Sequence, residues 1–140
     1  MEKVLVDTDV ILDFFFDRQP FAEFAAEVFL LCENKEIKGF TTPVIISNVY
    51  YLLRKTAKHE MIIEKLKQLL NILDIVEMNK EIVINALNSK FKDFEDALQN
   101  FAAVNNGDIQ IILTRNIKDF QNSKLAIISP ELYLKNKASR

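Results

Sequence analysis

Four aspartates stand where a chain of alternating strands and helices presents its chemistry. Asp7 ends an apolar run in VLVDTDVILD, with Asp9 and Asp13 close behind. Asp93 and Asp96 lie three apart in KDFEDALQ, and Asp119 closes TRNIKDF. In an open α/β sheet the carboxyl ends of the strands form the ligand crevice, so an acid placed there by the first strand points into it. Spacing of three puts Asp93 and Asp96 on one helix face, with Phe94 and Ala97 turned toward the core. Gathered together, such carboxylates repel by about 4 kcal/mol per close pair at an effective dielectric near 20. A divalent cation between them offsets that cost. Hard oxygen ligands without His or Cys favour Mg²⁺ or Mn²⁺ over zinc. The single histidine, His59, sits in a polar stretch between helices and reads as a surface residue. A Mg²⁺ site of this kind suits phosphodiester hydrolysis.

Other roles stay open for some of these residues. Aspartate at a helix start also serves as a cap or a partner of the macrodipole, which applies to Asp93, Asp13 and Asp17. Asp7 fits that role only if Thr8 begins a helix. DTDVIL also approaches the D-x-D start of haloacid-dehalogenase-like phosphatases, in which the first Asp is a nucleophile. That reading predicts an aspartyl-phosphate on Asp7. Against it stand the short chain and the lack of a convincing downstream Lys or paired-acid motif.

The elements that must position these residues follow from periodicity. The run from Val4 to Asp7 reads as a buried parallel strand. Asp9 then caps a short helix over Val10–Phe16 that Asp17-Arg18-Gln19-Pro20 ends. Pro20 suits the first turn of a second helix to about Glu36, with Phe21, Phe24, Ala25, Val28, Phe29 and Cys32 inward. Gly39–Thr41 is a second strand. Thr42-Pro43 reads as N-cap and first residue of a helix through Lys55. Ile62, Leu66, Leu69, Leu70 and Leu73 form the stripe of the next helix. A strand over Asp74–Met78, a helix Lys80–Asn88 capped by Asn79, and a helix Lys92–Asn105 with Gly107 beyond it follow. Strands at Ile109–Leu113 and Leu125–Ile128 and a closing helix from Pro130 complete the order. The expectation is a three-layer α/β/α fold on a mostly parallel sheet of four to five strands.

At 140 residues and 16.2 kDa the expectation is one compact domain, and 49% hydrophobic residues suffice for its core. Charges interrupt every apolar window before membrane-spanning length, and the start of the chain lacks a signal-peptide pattern. The lone Cys32 reads as core filler and forms no internal disulfide. Together these point to a cytoplasmic protein with no membrane partner. A net charge of −2 excludes a strongly basic nucleic-acid wrapper but not a nucleic-acid enzyme with local basic patches. Eleven Phe and no Trp, most of the Phe at helical spacing, read as core rather than stacking platforms.

The set VDTDV, DFEDALQ and ILTRNIKDF, in that order and spacing, resembles a PIN domain, and most of all the small bacterial kind typified by VapC toxins. The likeness covers essentially the whole chain. It implies a Mg²⁺- or Mn²⁺-dependent endoribonuclease acting on RNA, the toxin of a pair with an antitoxin protein. It further implies Asp7 as the first metal-binding acid with Thr8 in support, and Asp96 as another, with Asp93 assisting. Asp119 is the final acid, and Thr114 and Asn116 are the polar residues after the fourth strand. Asp9 stands where the family usually has Asn. The family's second acid, usually a Glu, is missing from PVIISNVYYLLRK, where Asn48 is the nearest polar replacement. An amide can ligate Mg²⁺ but brings no charge. The alternative is therefore a degenerate PIN domain that binds RNA or a protein without cleaving. Arg115 and Lys118 beside the last acid, with Arg54 and Lys55 after the Asn48 helix, are the candidate RNA contacts. A homodimer is the expected assembly, through the Phe-rich second helix or the Tyr50-Tyr51 region.

Overall fold

The computed structural model describes residues 1–139. Its strands are β1 (Glu2–Val6), β2 (Ile37–Thr41), β3 (Leu73–Ile75), β4 (Ile111–Leu113) and β5 (Ala126–Ile128). Helices α1 (Thr8–Phe15) and α2 (Phe21–Glu33) separate the first two strands, and α3 (Pro43–Arg54) and α4 (His59–Leu69) lead to β3. Helices α5 (Lys80–Leu87) and α6 (Phe94–Asn106) lead to β4, a 3-10 turn (Ile117–Phe120) precedes β5, and α7 (Pro130–Ala138) closes the chain. The five strands form one sheet in the order β3-β2-β1-β4-β5, every neighbouring pair parallel. The expected three-layer α/β/α architecture is present, with five strands.

β1 is the centre of the sheet, and its alternation builds both cores. Val4 and Val6 face a core filled from α1, α2, α3, α4 and α7, while Leu5 faces one filled from α5 and α6. All three are inaccessible to solvent, and burying each such side chain is worth roughly 1.5–3 kcal/mol. The end of β1 is therefore fixed from both sides of the sheet. Successive strands run from β1 outward through β2 to β3, then return to the other side of β1 with β4. Val6 pairs with Leu113, and the Asp7 N–H donates to the Leu113 carbonyl at 3.0 Å. The reversal of strand order thus lies between β1 and β4, where such sheets open a crevice at their carboxyl ends.

Local chemistry explains most element ends. The Thr42 hydroxyl accepts from the Ile45 N–H at 3.1 Å and Pro43 takes the first position of α3. Asn79 and Ser129 cap α5 and α7 the same way. Gly107 ends α6 with φ +83°, a left-handed conformation that costs glycine nothing. Gly39 is demanded by space instead, since a Cβ there would lie 2.6 Å from both Cys32 Sγ and Leu73 Cδ2.

Three expectations fail locally. Leu73 belongs to β3, not to the stripe of α4, which stops at Leu69 and leaves Leu70 exposed. Phe21 is exposed and Phe24 half-buried, because the inward face of α2 is set by Ala22, Ala25, Val28, Phe29 and Cys32. Phe94 is exposed at the start of α6, whose inward face is set by Ala97, Leu98, Ala102 and Ala103. Helix α1 starts at Thr8, so Asp7 rather than Asp9 occupies its N-cap position. Among the described residues no helix is long and apolar enough to cross a membrane.

Candidate active site

Asp7 reaches the crevice as the residue after β1, and it sits at the start of α1 without using its side chain to cap that helix. Asp7 is 4% exposed, and its carboxylate accepts from the Thr114 hydroxyl at 2.9 Å. Thr114 follows β4 directly, so the two strands at the crevice supply acid and donor side by side. The same hydroxyl lies 3.3 Å from each oxygen of Asp9 and accepts from the Asn116 N–H at 3.0 Å. Asp9 in turn accepts from the Arg115 N–H at 2.8 Å. The loop after β4 is thus hung on the first turn of α1.

One turn further along α1, Asp13 completes that attachment. It is 1% exposed and accepts both Nε and Nη2 of Arg115, at 2.7 and 2.8 Å. Such bidentate pairing is among the stronger charge-assisted contacts. The guanidinium also stacks 3.9 Å from the centre of the Phe21 ring. Arg18, from the turn after α1, approaches the same carboxylate more loosely at 3.4 Å.

A cavity of about 250 Å³ opens at this point, and its wall includes Asp7, Asp9, Asp93, Glu95, Asp96 and Asp119 together with Thr8, Asn116, Gln99 and Arg18. Helix α6 brings Glu95 and Asp96 in its first turn and Asp93 just before it, where the macrodipole favours negative charge. Asp93 is its N-cap, accepting from the Asp96 N–H at 3.0 Å. Gln99, one turn on, is anchored by the Thr42 hydroxyl at 2.6 Å, which ties α6 to the start of α3. Burial pushes the Asp7 carboxyl up to about 7, with the charge of Asp9 adding to it. Asp96 is likewise raised to about 7, by burial and then by the charges of Asp7, Asp93 and Asp119. Burial also raises Asp9, against the pull of Arg115.

These donors fit a hard divalent cation. All the ionisable groups on the cavity wall other than Arg18 are carboxylates, and the two raised ones carry a strain that added positive charge relieves. Among the described residues no three acidic, His or Cys side chains stand together as a ready-made cage.

A family model described as PIN domain matches residues 3–118. The chain belongs to the PIN domain family. Ribonuclease VapC1 of Aquifex aeolicus is 30% identical over 135 residues, covering 93% of this chain and 92% of its own. The crystal structure of VapBC2 from Rickettsia felis bound to a DNA fragment from their promoter superposes with a TM-score of 0.68 at 16% identity. That match covers 91% of this PIN domain chain and 97% of the other. The VapC20 toxin of Mycobacterium tuberculosis, described as cleaving the sarcin-ricin loop, gives 0.63 at 15% identity, over 84% and 95%. At those identities the two structures speak for the fold. The PIN family assignment leaves no place for the dehalogenase-like phosphatase reading.

Within this PIN domain, Asp7, Thr8, Asp9, Asp93, Asp96, Asn116 and Asp119 all line the one cavity, and Thr114 lies buried behind it. Asn48 does not line it. It faces an adjoining cavity with Thr8, Tyr51, Leu52, Lys55 and Glu95, and its Nδ2 is buried without a hydrogen-bond partner. Arg115, expected to face RNA, has its guanidinium engaged by Asp13 and Phe21. Arg54 turns back to the Ala57 carbonyl at 3.2 Å, Lys55 lines the adjoining cavity, and Lys118 is exposed on the 3-10 turn. Sequence reasoning passed over Glu95, Gln99 and Arg18. Gln99 was within reach, since it lies three residues after Asp96 on the same helix face. Arg18 was not: its position depends on Asp17, whose φ of +52° turns the chain back after α1.

Proposed function

We propose that this PIN domain is a divalent-metal-dependent endoribonuclease and the toxin of a toxin–antitoxin pair. The observation that carries the reading is the convergence of Asp7, Asp96 and Asp119, from three distant parts of the chain, on one cavity at the carboxyl end of β1. Its 30% identical relative over nearly full length is named a ribonuclease, which supports the same chemistry. A structural neighbour described as a toxin–antitoxin complex from Klebsiella pneumoniae supports an antitoxin partner.

In this reading Asp7, Asp96 and Asp119 hold Mg²⁺ or Mn²⁺, and Asp93 adds charge beside them while capping α6. The bound cation supplies charge neutralisation at the phosphate and acidifies water at neutral pH. Thr114 orients Asp7 by donating its hydroxyl to one carboxylate oxygen at 2.9 Å. Asp9 holds the loop after β4 so that Asn116 and Asp119 stay at the wall. Thr8 and Asn116 offer uncharged polar groups next to the acids, where a phosphodiester meets less repulsion.

The test is cleavage of single-stranded RNA by the purified protein with Mg²⁺ or Mn²⁺ and with chelator. Metal-stimulated cleavage that Asp96→Asn abolishes is expected. RNA binding with no cleavage under any divalent metal would overturn the reading in favour of a PIN domain that binds without cutting.

A further inference from the structure

Six carboxylates line the cavity against a single cation, Arg18. Beyond the phosphate that a divalent cation among the acids would neutralise, RNA brings further negative charge, and a cationic side chain at the wall would attract that backbone. Arg115 does not fill that role, because its fork is closed on Asp13 with two short bonds and its face is covered by Phe21. Arg18 has a different environment. Its side chain is 44% exposed, and its one polar side-chain contact among the described residues is the 3.4 Å approach of Nη1 to Asp13 Oδ1. Phe16 lies beneath the guanidinium at 5.1 Å.

The backbone holds this residue in place. The Arg18 N–H donates to the Asp13 carbonyl at 3.0 Å, its carbonyl accepts from Ala22 at 2.6 Å, and Asp17 takes the left-handed conformation that makes the turn. Asp13 is already satisfied by Arg115, so Arg18 is tethered at the rim with most of its donors directed elsewhere. Resting on the ribonuclease reading above, we propose that Arg18 is the phosphate-binding residue of the cleft, gripping an RNA phosphodiester next to the acids. The Asp13–Arg115 pair is then its positioning device: it neutralises the buried carboxylate so that Arg18 is not drawn in to do so.

The experiment compares wild type, Arg18→Gln and Arg18→Lys for binding a labelled mixed-sequence single-stranded RNA across a salt series, and for steady-state cleavage of the same RNA with Mg²⁺. Arg18→Gln is expected to weaken binding and raise KM about tenfold, as loss of one charge-assisted contact does. It should also flatten the slope of log affinity against log salt by about 0.7, the share of one phosphate contact on a single strand. Arg18→Lys should restore the slope and part of the affinity, because it keeps the charge but not the fork. A purely structural role would not move the salt slope. Arg18→Gln with wild-type slope and KM overturns the proposal while wild-type cleavage leaves the ribonuclease reading standing. A wild type that neither binds nor cuts RNA overturns both.

Discussion

Replacing Arg115 by Ala isolates the clamp that holds the site together. Asp13 has a side-chain exposure of 2% and Arg115 of 30%, and the two are joined at 2.7 and 2.8 Å. Removing one partner of a buried pair typically costs about 3–5 kcal/mol, because the other charge is left in a poorly solvated place. Arg18 at 3.4 Å stays behind as a partial replacement, which moves the expectation to the lower end. Loss of the stack on Phe21 adds about 0.5–1 kcal/mol. The sum is a destabilisation of about 3–4 kcal/mol, read by urea unfolding with an unchanged m-value. Asp13→Asn should cost less, since the guanidinium it releases can reach water and the buried carboxylate is gone. Replacing both partners by apolar residues of similar volume should recover much of the loss. An Arg115→Ala protein within about 1 kcal/mol of wild type would place the pair among ordinary surface contacts and refute the reasoning.

Further outcomes follow from the same geometry. The Asp7 carboxyl is raised from 3.8 to about 7, so the folded state holds a proton between those values that the unfolded chain gives up. The Asp7 contribution to metal-free stability is therefore full below about pH 4 and is lost as pH rises through about 7, by roughly 4 kcal/mol. Asp96, raised for similar reasons, pushes the same way. Saturating Mg²⁺ should flatten the fall, and thermal denaturation across pH with and without the metal checks it. A metal-free protein that becomes more stable between pH 5 and pH 8 would contradict the burial argument. Gly39→Ala should destabilise by about 1–3 kcal/mol, because its Cβ meets Cys32 and Leu73 at 2.6 Å. Trimming Cys32 to Ala in the same chain should return part of that loss in a double-mutant cycle.

The fold was largely legible because its strongest signals are local. Thr42-Pro43, Asn79 and Gly107 mark helix ends by mechanisms that need no tertiary context, and the alternation of elements leaves few topologies open. Phe21 and Phe94 were misplaced because apolarity alone cannot distinguish a core ring from one that covers a guanidinium or lies at a helix start. Leu73 reads as helical from the sequence because a single residue at the right spacing extends a stripe that the chain has already left. In the site, Asp7, Asp96 and Asp119 could be picked out by their places at element ends. The role of Asp13 could not, since it depends on Arg115, 102 residues away. Glu95 and Arg18 reach the cavity through the first turn of α6 and a left-handed turn, neither of which a periodicity argument resolves.

The proposed activity depends on Asp7, Asp96 and Asp119 sharing one divalent cation. A crystal soaked in Mn²⁺ tests it most directly, read by anomalous density. The expected result is a peak within ligating reach of Asp7, Asp96 and Asp119 in their shared cavity, lost in Asp96→Asn. Density elsewhere, with that cavity empty under saturating Mn²⁺, would contradict it.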